Sequence, residues 1–173
     1  AALRSMPPAP LRSYRSRVRK ATSNGTGERG TVGYFAGCFM DHGYADAAMA
    51  TRSMLERAGF RVEAPVVMCC GVPHRAYGDI DTARELARKN IAALERYDHV
   101  VSDCASCGAA LKEYPHLFKD DPVYRERAER LSARTADIAE FLVKHDFPHP
   151  RFHSPVRVTY HDPCHLVRGQ GIK

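Results

Sequence analysis

The chain has 173 residues, a formal net charge of +6 and 44% apolar side chains, with a mean hydropathy of −0.41. That apolar fraction excludes an intrinsically disordered chain, and no run reaches the ~20 apolar residues of a transmembrane helix. A chain of this length makes one to one-and-a-half domains and can bury a core without disulfides to hold it.

The charge sits at one end. Residues 1–30 carry Arg4, Arg12, Arg15, Arg17, Arg19, Lys20 and Arg29 against Glu28, while residues 31–173 balance at 19 basic and 19 acidic side chains. Pro7, Pro8 and Pro10 with Gly25, Gly27 and Gly30 give this stretch the composition of a basic linker or arm, solvated or laid on a partner, rather than a packed element. Tyr14 is its only aromatic, so there is no stacking platform and no nucleic-acid partner is expected. Gly25-Thr-Gly27-Glu-Arg-Gly30 matches a dinucleotide fingerprint in letters only. The mechanism needs a strand before the glycines and a helix after them, and here a strand follows.

Thr31–Ala36 (TVGYFA) is the first predicted strand, ending at Gly37-Cys38. A helix follows over Tyr44–Ala58, with residues 47, 50, 54 and 58 on its apolar side and Gly59 as its stop. Phe60–Ala64 is a second strand, running on to Cys69-Cys70-Gly71. Asp79 can cap a helix to about Tyr97, with Ala83, Leu86, Ala87, Ile91 and Leu94 facing inward. His99–Asp103 is a third strand, leading into Cys104-Ala-Ser-Cys107-Gly108. Helices are expected at about 106–117, 123–132 and 135–145, and Val156–Tyr160 reads as a fourth strand before Asp162-Pro163-Cys164.

Alternating strands and helices predict an α/β fold: a parallel, Rossmann-like sheet flanked by helices, with the carboxyl ends of the strands on one edge. All six cysteines then fall just beyond a strand, so topology alone gathers sequence-distant thiols at the edge where such sheets bind ligands. With no visible export signal, a reducing, cytoplasmic compartment is expected, where structural disulfides are rare. A thioredoxin-like pair would use Cys104 and Cys107 but leave Cys38, Cys69 and Cys70 without a role. A zinc site prefers two paired spacings, and only one C-x-x-C is present. An iron–sulfur cluster offers several metal atoms to neighbouring thiolates. Gly71 and Gly108 would let backbone approach its sulfides, and a helix N-terminus near Cys107 would favour the thiolate. On chemistry alone the cluster leads, with zinc and a metal-free role still open.

His145, His149 and His153 recur every four residues, but Pro148, Pro150 and Pro155 forbid the helix that would stack them, which leaves loop histidines. His74 and Tyr77 could cover the thiols or cap the next helix. His161 and His165 could donate to a thiolate at Cys164, and Asp103 is expected to hydrogen-bond the turn after its strand.

The run Gly37-Cys38, Cys69-Cys70-Gly71-Val-Pro73 and Cys104-Ala-Ser-Cys107, set within TVGYFAGC, GDIDTARELARKN, VVSDCASCGAALKEYP and VTYHDPCHLVRGQGI, resembles the cysteine-rich CCG domain. That domain occurs in heterodisulfide reductase subunits and in iron–sulfur subunits of glycolate oxidase, lactate-utilisation and anaerobic glycerol-3-phosphate dehydrogenase complexes. The resemblance implies that Cys38, Cys69, Cys70, Cys104 and Cys107 hold a [4Fe–4S] cluster, non-cubane in the heterodisulfide reductase branch. It implies an electron-transfer subunit taking electrons from a flavoprotein dehydrogenase towards quinone, peripheral to the membrane through its partners. A catalytic disulfide-reductase unit and a zinc-stabilised interaction module are the alternatives. Residues 31–155 would be a first CCG copy and residues 156–173 the opening of a second, with Cys164 in the place of Cys38. The chain thus reads as a piece of a longer subunit.

Overall fold

The computed structural model describes residues 10–19, 21–148, 156–157 and 159–173. Four strands, β1 (Thr31–Tyr34), β2 (Arg61–Glu63), β3 (His99–Ser102) and β4 (Thr135–Asp137), form one all-parallel sheet in the order β2-β1-β3-β4. This is the expected α/β architecture, with two differences along the chain.

The first concerns the fourth strand. It is Thr135–Asp137, in a segment expected to be helical, whereas residues 156, 157, 159 and 160 have no regular structure and Val158 lies outside the described residues. A three-residue strand carries no periodicity to read. It forms because the open side of β3 accepts it: Val100 N–H donates to the Arg134 carbonyl at 2.9 Å, and Val100, Val101 and Ser102 pair with Thr135, Ala136 and Asp137. The VRVTY segment has β-type residues, but its described residues are not in a strand and Val156 and Tyr160 are exposed.

The second concerns the arm. Residues 14–18 form a short helix, α1, capped by Ser13 and carrying Tyr14 at 0% and Val18 at 6% exposure. Burying two apolar side chains is worth roughly 3–5 kcal/mol, enough to fix a stretch whose composition otherwise reads as linker. Residues 1–9 and Lys20 lie outside the described residues.

Alternation along the strands splits the core into two layers. Val100 and Phe35 face one layer with α5 (Ile80–Leu94), α6 (Ala105–Glu113) and α7 (Pro122–Ala133). Val32, Tyr34 and Val101 face the other, with α1, α3 (Ala45–Arg57) and α8 (Ile138–Lys144). The short helices α2 (Cys38–His42), α4 (Val72–Ala76) and α9 (Cys164–Gln170) lie around these layers. The buried stripe of α3 is Ala45, Ala48, Thr51, Arg52 and Leu55, with positions 47 and 50 exposed. Two polar residues displaced the expected face because both are satisfied inside: Thr51 Oγ1 donates to Asp103 at 3.0 Å, and Arg52 donates to Glu56 and to the Thr22 carbonyl. Helix α5 keeps its expected register, capped by Asp79 Oδ1, which accepts from Thr82 N–H at 3.2 Å. His145 is not a free loop histidine, since its ring packs 4.3 Å from Phe141 and 4.9 Å from Phe60; His149 and His153 lie outside the described residues. Among the described residues no helix is long and apolar enough to cross a membrane.

Candidate metal centre

Three loops at the carboxyl edge of the sheet deliver five thiols. Cys38 opens α2 just beyond β1, Cys69 and Cys70 precede α4, and Cys104 is the N-cap residue of α6 with Cys107 in its first turn. Gly71 has φ 89°, a left-handed turn that sends the chain into α4 directly after the thiol pair and that a side chain would strain. Gly37 is needed for another reason. A Cβ there would lie 2.7 Å from Cys107 Sγ, so the β1 loop meets α6 thiol against backbone.

The thiols form one contiguous group. Cys107 interacts electrostatically with both Cys70 and Cys104, and Cys69 with Cys70 and Cys38. Burial is graded across it: Cys70 and Cys107 are buried, Cys69 and Cys104 half-buried, and Cys38 exposed. Cys107 acts as the shared proton donor. Its hydrogen bond lowers Cys70 to about 7 and, with the backbone N–H groups of Cys107 and Ser106, lowers Cys104 to about 6. Cys107 itself is pushed up by those two thiols and by burial, and Cys69 chiefly by burial. The helix N-terminus therefore favours the thiolate of Cys104, not that of Cys107 as expected. Among the described residues no group of three or more His, Cys, Asp or Glu side chains is arranged around a single metal-ion position.

What fixes these loops is not cysteine, and nothing in the cysteine spacing points to it. Asn90, fully buried on α5, accepts from Met68 N–H at 2.7 Å and donates to the Cys69 carbonyl at 3.0 Å and to Tyr114 Oη at 2.9 Å. Tyr114 Oη in turn donates to the Cys70 carbonyl at 3.1 Å. Ser102 Oγ donates to the Phe35 carbonyl at 3.2 Å and accepts from Cys104 N–H at 3.3 Å, tying the first and third loops. Arg15 of the arm reaches the carbonyl of Val67 at 2.8 Å and that of Ala36 at 3.5 Å. Its own backbone N–H donates to Asp41 Oδ1 at 2.7 Å, and its Nε stands 3.3 Å from Asp41 Oδ2 as an ion pair without hydrogen-bond alignment. One signal was available in the sequence: Asn90 is a polar residue inside the Ala83–Ala87–Ile91–Leu94 stripe of α5.

The remaining candidates resolve differently. His74 Nδ1 lies 3.1 Å from Asp79 Oδ2 at the start of α5, the capping role among its two expected ones, and Tyr77 is exposed. Asp103 Oδ2 accepts from Tyr34 and Thr51 across the sheet rather than from its own turn, and burial raises its carboxyl above the usual range. Gly108 makes room for α9, because a Cβ there would meet the Gln170 amide at 3.0 Å. Cys164 is exposed at the start of α9, apart from the five, with Sγ 3.6 Å from His165 Nδ1; His165 also meets Ser106 Oγ at 3.1 Å.

Residues 32–112, which include all five thiols, match the family model for the cysteine-rich CCG domain. This stretch belongs to the CCG family. Over 143 residues the chain is 40% identical to a fumarate reductase (CoM/CoB) component of Methanothermobacter marburgensis, covering 82% of this chain and 27% of that one. It is 38% identical over 146 residues to lactate utilization protein A of Geobacillus kaustophilus, covering 82% and 60%. It is 40% identical over 140 residues to the probable glycolate oxidase iron-sulfur subunit of Bacillus subtilis, covering 78% and 32%. The chain spans between about a quarter and three fifths of these relatives' lengths. No solved structure matches it.

Proposed function

We propose that Cys38, Cys69, Cys70, Cys104 and Cys107 hold an iron–sulfur cluster of the [4Fe–4S] type, and that the chain passes electrons inside a multi-subunit oxidoreductase. One observation carries the reading: five thiols from three loops form a single group at the ligand-binding edge of a parallel sheet. Donors of that number and spread suit a group with several metal atoms better than one zinc ion. The donor chemistry fits as well, since Cys70 and Cys104 reach thiolate near neutral pH and metal entry would displace the proton that Cys107 shares with them.

When bound, the cluster supplies a one-electron donor and acceptor. The chain does the rest. Cys70 and Cys107 anchor the buried side against Phe35 and Leu111, which exclude water, while Cys38 faces solvent where a partner subunit would approach. The partner would be a flavoprotein dehydrogenase, with quinone as the eventual acceptor and membrane association through other subunits. Relatives named for lactate utilization and glycolate oxidase support this. Residues 156–173 would open a second CCG copy, with Cys164 contributing to its site.

A second reading has its own support. A relative at 40% identity is named for fumarate reductase with CoM/CoB, which favours disulfide chemistry at the cluster and a non-cubane arrangement. Anaerobic purification with iron, zinc and labile-sulfide analysis and electron paramagnetic resonance tests the cluster. Stoichiometric zinc without sulfide overturns it, and Cys69→Ser or Cys70→Ser should lower iron content. Rapid oxidation of the reduced protein by a small disulfide would favour the second reading over the first.

A further inference from the structure

The arm encloses a second feature, apart from the thiols. Between α1, residues 21–23 and the edge strand β2 lies a cavity of about 830 Å³. Arg12, Arg15, Arg19, Arg52, Arg61 and Arg96 line it, against Glu63. Counting the nearby Asp41 and Glu56, which pair with Arg15 and Arg52, six positive charges face three negative ones. The surplus sits on the wall: Arg12, Arg19 and Arg61 are exposed, and the Arg61 guanidinium is 3.9 Å from its nearest carboxylate, Glu63. Gathering guanidinium groups without counter-charge costs stability through mutual repulsion, and an anion would relieve it.

The floor is different in kind. Val18, Val62 and the Tyr97 ring are buried beneath the cavity, while Val66 at its rim is 77% exposed. A small-molecule site typically combines an apolar floor, a few polar groups at the rim and a volume of roughly 300–1,000 Å³. Guanidinium forks match phosphate oxygens in pairs.

We propose that this cavity binds a phosphorylated small molecule of the nucleotide class, its phosphates on Arg12, Arg19 and Arg61 and its flat portion against Val62 and Val66. No cysteine lines the site. Isothermal titration of the full chain with ATP and with pyrophosphate, at fixed ionic strength, tests it. ATP should saturate at one site per chain and bind at least ten-fold more tightly than pyrophosphate. Arg19→Ala and Arg61→Ala should each weaken ATP by about ten-fold, the lower value for losing one charge-assisted contact. Both side chains are exposed, so the variants should keep the parent's circular dichroism. Failure of both ligands to saturate by millimolar concentration overturns the site, as does unchanged ATP affinity in the two variants. Equal affinity for ATP and pyrophosphate overturns the nucleotide assignment.

Discussion

Replacing Asn90 by Leu keeps the side chain's size and removes its polarity at a fully buried position that bonds the paired-cysteine loop at two backbone groups. Two backbone groups would lose their partner, the Met68 N–H at 2.7 Å and the Cys69 carbonyl at 3.0 Å. A buried group left unpaired costs about 1–3 kcal/mol, and both contacts are only part-buried, so the expected loss for the two is at the low end, about 2 kcal/mol. Small domains have about 5–15 kcal/mol to lose, so Asn90→Leu should remain folded in buffer and unfold early. With a urea slope of about 1–3 kcal/mol/M, the midpoint falls by about 0.7–2 M at unchanged slope. Tyr114→Phe strands the Cys70 carbonyl, removes one acceptor of the Asn90 amide, and should cost about 1–3 kcal/mol. Because Asn90 and Tyr114 also bond each other at 2.9 Å, the double variant should cost less than the sum, with a coupling of at least ~0.5 kcal/mol. Anaerobic urea titrations of the four proteins, monitored by circular dichroism with reductant present, measure all of this. The exposed Asn24→Leu serves as control. If Asn90→Leu moves the midpoint no further than that control, or the two losses simply add, the loop is not held in this way.

Other outcomes follow from single contacts. Gly37→Ala puts a methyl 2.7 Å from Cys107 Sγ and should cost about 1–3 kcal/mol together with most of the bound iron; parent-like iron content would show that the contact has slack. Tyr14 makes no hydrogen bond through its buried hydroxyl, although Arg52 lies near it, and burial pushes its pKa up to about 12. The folded state therefore keeps a proton that the unfolded chain releases from about pH 10, so stability falls as pH rises between about 10 and 12, by about 2–3 kcal/mol. Tyr14→Phe should flatten that part of the alkaline profile and leave neutral-pH stability unchanged or slightly higher; an unaltered profile would show that Tyr14 is not its source. Arg15→Ala removes the ties to Val67 and Ala36 and should lower stability by about 1–3 kcal/mol, measurable as a lower urea midpoint, whereas Arg17→Ala, whose partner Asp46 is exposed, should change it by less than ~1 kcal/mol.

The fold class was legible because β1, β2 and β3 are β-type runs separated by helical periods, and because Asp79 marks the start of α5 with a residue type that caps helices. Convergence of the five thiols followed from topology without any side-chain information. The fourth strand was not legible. Thr135–Asp137 is too short to show a period and is a strand because it pairs with β3, whereas VRVTY has the composition of a strand, yet its described residues 156, 157, 159 and 160 have no regular structure. The arm failed for a related reason: Tyr14 and Val18 are two apolar residues among arginines, and their burial depends on a surface built by α3 and β1 far along the chain. Arg52 and Thr51 displaced the expected face of α3 because the Thr22 carbonyl and Asp103, which help satisfy them, come from elsewhere in the chain and leave no mark in the local pattern.

The same contrast bears on how such a centre can be built. In a small zinc domain the metal supplies the folding energy, and the chain without it is unfolded. Here each cysteine loop has a backbone tie that involves no sulfur: Arg15 to Ala36 and Val67, Asn90 and Tyr114 to Met68, Cys69 and Cys70, and Ser102 to Phe35 and Cys104. Two apolar layers on the faces of a four-stranded sheet lie beneath them. These ties hold the loops without using a thiol, so the backbone itself sets where the cysteines stand. Pre-ordering of that kind lowers the entropic cost of loading, since the chain need not be fixed at the moment of binding. It also separates two roles that a zinc finger merges. Exchanging sulfur for oxygen at Cys69 should lower the iron content of the proposed centre while leaving the sheet intact, whereas cutting Asn90 should loosen the paired-cysteine loop whether or not the centre is filled.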